Sequence, residues 1–322
     1  MESIDIKIIT HGRPDKLHLL LASLQKQRNP SDDPVTDFTI EVIDNSSRKR
    51  LSVEFLKHLQ TQFCFSYFYL GADNISLARN TALARSQAQY LAFIDDDVVA
   101  SPQWLDSLRA TLKKYSAQVA MGPQNIIFTA HDSARFVDPR ILKTPNPPSG
   151  STDGFVESTS NCLLDLSAIR ESRLRFDPWY GNCGGEDSDF FKKLRQLSYQ
   201  IVWSQEATVY ETYDEHRLKT HWIALRAFRC GGTLASITSR LNHTYHYEKR
   251  KRLCLNLIQY GFSFLIKSLF PKRHRLERSH DFWIFFYDLG YLWFTWFGFV
   301  YAEYAIEKPL VLRFFYRKPR RP

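Results

Sequence analysis

Tyr90-Leu91-Ala92-Phe93-Ile94-Asp95-Asp96-Asp97 is the stretch on which the reading of this chain turns. Its apolar run is too short for a helix and suits a buried strand. Three aspartates then follow with no linker. Side chains alternate along an extended chain, so Asp95 and Asp97 project to one side and Asp96 to the other. Adjacent carboxylates repel, and Mg²⁺ or Mn²⁺ bridging to phosphate oxygens relieves that repulsion. A bare acidic run at a strand end reads more readily as a solvated turn than as a metal site, so its surroundings decide between the two.

Upstream, strand and helix signals alternate. Ile4–Thr10 is β-rich and ends at His11-Gly12-Arg13-Pro14. Leu17, Leu20, Leu21 and Leu24 then recur at helical spacing, with Pro14 placed in a first turn. Thr39–Ile43 predicts a strand ending in Asp44-Asn45-Ser46-Ser47. Val53–Gln62 predicts a helix, Phe65–Leu70 a strand and Ser76–Gln89 a helix. After the aspartates, Ser101-Pro102 starts a helix with Leu105, Leu108 and Leu112 at core spacing, and Val119–Met121 is a short strand. Asp138–Asp153, with four prolines, predicts a loop. Phe155–Leu166 and Ile201–Tyr210 read as extended and Asp187–Leu197 as helical. Repeated β-α-β units imply a mostly parallel sheet covered on both faces. Such sheets bind ligands beyond the carboxyl ends of their strands, where Asp44 and Asp95–Asp97 both fall. That position favours a ligand site over a solvated turn.

The 322 residues suffice for a substantial core without disulfide staples. Five scattered cysteines with no CxxC pair argue against structural zinc and a secreted disulfide framework. The N-terminus has no basic and apolar leader, so a cytoplasmic location is expected. The net charge of +9 is unevenly spread: residues 240–322 hold 16 Lys and Arg against 6 Asp and Glu, whereas residues 1–239 are close to balance. Because the same quarter is rich in aromatics, the excess points to an anionic membrane surface and not to nucleic acid.

Further acidic and basic clusters carry two readings each. Gly184-Gly185-Glu186-Asp187-Ser188-Asp189 opens a helix, where acidic residues cap and complement the dipole. A carboxylate there also suits a general base toward an acceptor hydroxyl. Asp44 suits a hydrogen bond to a base or ribose, or an Asx turn with Asn45 and Ser46. Arg79 sits in a helix, as a surface residue or a phosphate ligand. Arg226 and Arg229 before Gly231-Gly232 suit a pyrophosphate or one basic helix face. Glu211 and His216 are candidates for a further metal ligand.

Together these segments resemble glycosyltransferase family 2, from about residue 4 to residue 232 and in the family's order. The resemblance implies a GT-A type, Rossmann-like nucleotide-binding sheet. Ile6–Arg13 with Pro14 is similar to the first strand and nucleotide loop, implying donor contacts from Thr10 and Arg13. Glu41-Val42-Ile43-Asp44 is similar to the second-strand aspartate that contacts the donor's base. Asn74-Ile75-Ser76-Leu77-Ala78-Arg79-Asn80 resembles the segment preceding the donor site, implying a donor contact from Arg79. Phe93–Asp97 with Pro102 and Trp104 resembles the DXD region, with Asp95 and Asp96 toward the donor and Asp95 and Asp97 on a divalent metal. Gly184–Asp187 followed by Phe190 resembles the acceptor-side ED motif, implying Asp187 as base and Glu186 as acceptor contact. Arg226–Arg229 with Gly231 resembles a late arginine region, with Arg229 toward the donor. It lacks the QxxRW pattern of processive synthases, so addition of a single sugar is expected. His11-Gly12 stands where tyrosine-asparagine is commoner, and Glu211 where a histidine often follows the seventh strand. The implied reaction is inverting transfer from a nucleotide sugar to a hydroxyl of a glycan or lipid-linked saccharide.

Residues 1–240 are read as the catalytic domain and 241–322 as a helical, aromatic extension. Leu253–Ile266 and Leu289–Ala302 are each 14 residues without a charge, short of the roughly 20 that a span needs. Phe282–Ala302 reaches 21 only by including Asp288. Thirteen of the 24 residues from Asp281 to Tyr304 are aromatic, and Lys272-Arg273, Arg275, Arg317-Lys318 and Arg320-Arg321 flank the region. Interfacial attachment to the inner face of the cell membrane is the reading chosen here, ahead of a helical pair buried on the catalytic domain. Two rivals remain for the whole chain. A sugar-nucleotide nucleotidyltransferase would carry a Gly-rich signature after the first strand, which His11–Pro14 does not match. A non-catalytic, membrane-bound carbohydrate-binding protein would not need both acidic motifs intact.

Overall fold

The computed structural model describes residues 2–28, 37–48, 50–128, 145–241, 245–269, 275–302 and 313–317. In chain order the strands are β1 (Ser3–Thr10), β2 (Asp37–Asp44), β3 (Ser66–Tyr69), β4 (Tyr90–Asp95), β5 (Val98–Ala100), β6 (Val119–Met121), β7 (Gln124–Phe128), β8 (Asn161–Asp165), β9 (Ile201–Trp203) and β10 (Val209–Tyr213). The helices are α1 (Pro14–Gln25), α2 (Val53–Gln62), α3 (Ile75–Arg85), α4 (Trp104–Lys114), α5 (Leu166–Ser172), α6 (Glu186–Gln196), α7 (Thr220–Leu241), α8 (Tyr245–Ser268) and α9 (Arg275–Phe297). Two compact units result. The first holds residues 1–127, 144–178 and 186–212; the second takes Trp179–Gly185 and the chain from Tyr213 onward, and so includes α7.

In the first unit the main sheet has the order β3-β2-β1-β4-β8-β6-β9. Neighbours β3, β2, β1 and β4 are parallel, β8 runs antiparallel to both β4 and β6, and β6 is parallel to β9. The chain winds outward from β1 to β3, then returns to place β4 on the other side of β1. That reversal opens a crevice at the carboxyl ends of β1 and β4. Register puts Thr10 opposite Asp44 and Ile9 opposite Asp95, so three of the expected site residues share one rim.

Alternation along the strands supplies both covers. Ile4, Ile6 and Ile8 face one way, in a core with Leu17, Leu20 and Leu24 of α1. Ile9, Leu91 and Phe93 face the other way, in a core with Ala78 and Ala82 of α3. A buried ion cluster also lies in the body of the sheet: Lys7 Nζ donates to Glu41 at 2.8 Å and Arg85 Nε to the same carboxylate at 2.9 Å.

Several elements differ from the sequence reading. The expected helix to Gln89 stops at Arg85, because acceptors on β1 claim the next amides: Asp5 takes Gln87 N–H and Ser3 Oγ takes Gln89 N–H, each at 3.1 Å. Phe155–Leu166 condenses to β8 alone. The extended run at 201–210 is two strands in different sheets, β9 in the main one and β10 in a small sheet of order β5-β10-β7. In the expected loop, residues 138–144 lie outside the described residues and 145–153 have no regular structure.

In the second unit α7 crosses α9 backbone to backbone. Gly231 lies against the carbonyl of Tyr287, and Gly290 against that of Phe228, leaving no room for a Cβ at either crossing point. Tyr291 and Leu292 of α9 are fully buried, while Trp296 and Phe297 at its end are exposed. Among the described residues no helix is long and apolar enough to cross a membrane. Lys272, Arg273, Lys318, Arg320 and Arg321 lie outside the described residues.

Candidate active site

The rim of the main sheet gathers two arginines and five carboxylates. Asp96, the middle aspartate, has no solvent exposure. Thr10 Oγ1 donates to its Oδ2 at 2.6 Å, Arg13 Nε donates to the same oxygen at 3.2 Å, and Arg13 Nη2 donates to Oδ1. Arg13 Nη1 also donates to Asp97 Oδ2 at 2.7 Å. Thr10 and Arg13, expected on the donor, thus orient the aspartate run.

Arg79 is buried on the inward side of α3, not on the surface as its helical setting suggested. One guanidinium nitrogen donates to Glu186 Oε1 and another lies 3.8 Å from Asp95 Oδ1. The arginine therefore joins the DXD run to the ED motif through a buried charge-assisted bridge. Asn74 caps α3 through Leu77 N–H and donates to Pro178 O at 2.8 Å, while Asn80 exchanges two hydrogen bonds with the Phe176 backbone. These amides pin α3 to the segment leading toward the ED motif.

Charge crowding shows in the acidities. Burial, with Asp97 and Asp96 close by, raises Asp95 to about 6 against the pull of Arg79. Burial raises Asp96 to about 6 despite Arg13. Burial and the adjacent Glu186 raise Asp187 to about 6, opposed by Arg79 and by a 2.7 Å bond from Ser188 N–H. Burial alone would lower Arg13, but Asp96, Asp97 and Asp95 raise it instead. Glu186 Oε2 is buried and has no hydrogen-bond partner among the described residues, so it stands ready to accept one.

Asp44 forms the turn and more. Its Oδ1 accepts Ser46 N–H at 3.0 Å; its Oδ2 accepts Leu51 N–H at 3.1 Å and the Tyr67 hydroxyl at 2.8 Å. Both carboxylate oxygens are thus engaged in fixing the loop after β2. Tyr67 was not visible as a site residue from sequence, and its phenol is raised by burial and by Asp44. Asp73 was also missed. It accepts Ser47 N–H at 2.8 Å and lies 2.9 Å from His11 Nε2, tying the loops after β1 and β2 to the start of α3. Its acidity is increased by these bonds, although burial opposes them.

Glu211 sits on β10 opposite Val98, the residue after Asp97, and accepts from Gln124 Nε2. His216 is exposed on a turn of the second unit. Arg229 belongs to the second unit, where it lies against Gly184. Gly184 and Gly185 adopt φ of 77° and 88°, in the left-handed region that residues with a Cβ rarely enter. Gly231, by contrast, serves the α7–α9 crossing and not a ligand.

Among the described residues no group of three or more His, Cys, Asp and Glu side chains is arranged to hold a metal. Asp95 and Asp97 supply two hard oxygen donors in a setting of excess negative charge. That suits Mg²⁺ or Mn²⁺, which take one or two carboxylates and complete their shell with phosphate and water.

Residues 5–172 match the family model described as Glycosyl transferase family 2. The chain is 31% identical over 242 residues to the succinoglycan biosynthesis protein ExoM of Rhizobium meliloti (strain 1021), covering 74% of this chain and 76% of that protein. It is 25% identical to the hyaluronan synthase of Pasteurella multocida over 226 residues, covering 59% of this chain but 22% of the synthase. In structure it is similar to S. aureus TarS 1-349 in complex with UDP-GlcNAc, with a TM-score of 0.50, 15% identity, and coverage of 91% and 92% of the two chains. That likeness agrees with the GT-A sheet expected from sequence, and the family match spans β1, β2 and β4. The chain belongs to glycosyltransferase family 2 and is a glycosyltransferase using a nucleotide-sugar donor.

Proposed function

We propose that this enzyme performs metal-dependent, inverting transfer of one sugar from a UDP-sugar to a hydroxyl of a glycan or lipid-linked saccharide during polysaccharide assembly. The observation that carries the reading is Arg79, which holds Asp95 and Glu186 in one buried cluster beside Asp187. Donor-side and acceptor-side carboxylates are thereby set at a fixed spacing. The UDP-sugar is supported by the complex in which the similar TarS structure was solved, and polysaccharide assembly by the name of the succinoglycan relative.

Asp187, raised to about 6, is ionised at neutral pH yet basic enough to take a proton from an acceptor hydroxyl as that oxygen attacks the anomeric carbon. Glu186 offers Oε2 to orient the acceptor. Asp95 and Asp97 would hold the divalent metal, which supplies positive charge beside the departing diphosphate. Asp96, clamped by Thr10 and Arg13, fixes the direction in which its two neighbours point. Asp44 and Tyr67 hold the loop that receives the nucleoside. The basic last quarter attaches the enzyme to the cytoplasmic face of an anionic membrane.

The test is to incubate the protein with a panel of nucleotide sugars and Mn²⁺ and to measure nucleotide release with and without EDTA. Release with a UDP-sugar that EDTA abolishes is the expected result. Equal release in EDTA removes the metal, and release only from a non-uridine donor removes the UDP assignment.

A further inference from the structure

Helix α8 packs Leu253 and Leu257 against Tyr291 and Leu292 of α9 and still leaves a long apolar stripe exposed. Three of its polar residues point inward to α9: Asn256 Nδ2 donates to Asp288 at 3.3 Å, Ser263 Oγ to Asp281 at 2.7 Å, and Lys267 Nζ to Asp281 at 2.8 Å. Asp281 and Asp288 are both buried, so these contacts satisfy carboxylates that would otherwise be stranded. The opposite face carries Leu255, Ile258, Phe262, Leu265 and Leu269, each between 65% and 74% exposed. Their spacing of three and four residues puts all five on one stripe about four turns long. Single exposed leucines need no explanation, but a continuous exposed apolar stripe does.

We propose that this face of α8 is the membrane-contacting surface of the protein, lying in the interfacial zone of a bilayer rich in anionic lipid. The proposal deepens the membrane attachment put forward above and rests on it. It moves the contact from the aromatic run of α9, whose Tyr291 and Leu292 are spent inside the unit, to the neighbouring helix. Charge selects the occupant. In sequence the stripe is preceded by Lys249-Arg250-Lys251-Arg252 and followed by Lys272-Arg273, within a quarter of the chain that is strongly basic. Anionic headgroups complement both ends of the stripe. A second copy laid parallel would set the Lys249–Arg252 run of one helix beside that of the other, with Glu248 the one acidic residue in the α8 sequence to offset them. An interfacial helix buries one apolar face and needs no span.

The experiment is vesicle flotation of the full chain with phosphatidylcholine alone and with phosphatidylcholine containing about one third phosphatidylglycerol. It compares wild type with Ile258→Glu/Phe262→Glu, two exposed positions at which glutamate leaves the core untouched. Wild type is expected to float with the anionic vesicles and to dissociate in high salt. The double variant is expected to lose at least tenfold in partitioning, with an unchanged circular dichroism spectrum and unchanged nucleotide release. Undiminished flotation of the variant overturns the assignment to α8 while leaving membrane attachment intact. Failure of wild type to float overturns both. A light-scattering dimer that the double variant converts to monomer assigns the stripe to a second copy and overturns the lipid reading. Nucleotide release is read in parallel, so a failed transferase reading is distinguished from a failed lipid reading.

Discussion

Two ion clusters lie in the same unit, and they are built to different balances. In the body of the sheet, Lys7 and Arg85 face Asp5 and Glu41, two cations for two carboxylates. Although burial opposes it, hydrogen bonds and charge from Arg85 and Lys7 hold Glu41 below its ordinary value, and Thr39 and Lys7 do the same for Asp5. At the rim, Arg13 and Arg79 face Asp95, Asp96, Asp97, Glu186 and Asp187. There the carboxylates Asp95, Asp96 and Asp187 are pushed up to about 6. The first cluster is self-contained. Among the described residues the second holds more carboxylates than cations, which makes it the candidate working site.

The widest separation between the clusters is in chemistry. Asp187→Asn should lower transfer by about 10²- to 10⁴-fold, the range for loss of a general base, with little change in melting temperature. Full transfer by the variant would take the base role from Asp187. At the balanced cluster the pattern inverts. Lys7→Met leaves a buried carboxylate short of a partner and should cost about 3–5 kcal/mol of stability, read by urea unfolding, while turnover per folded molecule is unchanged. A turnover defect at normal stability would contradict the self-contained reading.

Titration distinguishes them next. Asp95, Asp96 and Asp187 keep their protons to about pH 6 in the folded chain but lose them near 3.8 when unfolded. The folded state therefore binds more protons in that window, and the rim's contribution to stability falls as pH rises through it. Glu41 and Asp5 contribute in the opposite sense: their stabilisation is present above the unfolded values and is lost as pH falls through the lowered folded ones. At pH 7.5 in EDTA the rim is at its most strained, and Mn²⁺ at about 100 times its dissociation constant should restore about 2.7 kcal/mol. Thermal melts with and without Mn²⁺ check this, and no metal-dependent shift would leave the rim without a cation site. In the same enzyme the acid limb of kcat/KM should fall near pH 6. The smallest effect is at Asp44. Tyr67→Phe removes one of its donors and should cost about 1 kcal/mol, with a rise in donor KM and unchanged kcat.

Much of this was legible in the chain itself. Tyr90–Ile94 and the leucines of α1 announce their elements because each fills one uninterrupted period. The acidic run at 184–189 announces the start of α6 because carboxylates suit a first turn. What escaped is whatever depends on partners distant in sequence. Arg79 looks like a surface arginine until Glu186, 107 positions later, is brought to it. Asp73 has no local signature because His11 and Ser47 reach it from two other loops. Strands β5 and β7 are too short to show a period and exist only by pairing in the sheet with β10. The exposed stripe of α8 was invisible for the same reason: its 14 uncharged residues say apolar, but which side turns outward is set by Asp281, Asp288, Tyr291 and Leu292 on another helix.

The clamp on Asp96 has a consequence for genetics. With Thr10 and Arg13 both spent on a side chain that never sees solvent, an alanine scan across Asp95–Asp97 would rank the middle position as the most damaging. Its phenotype would come from protein that misfolds or is degraded, so abundance in the cell, and not activity alone, is the measurement that tells a structural aspartate from the two proposed to hold the metal.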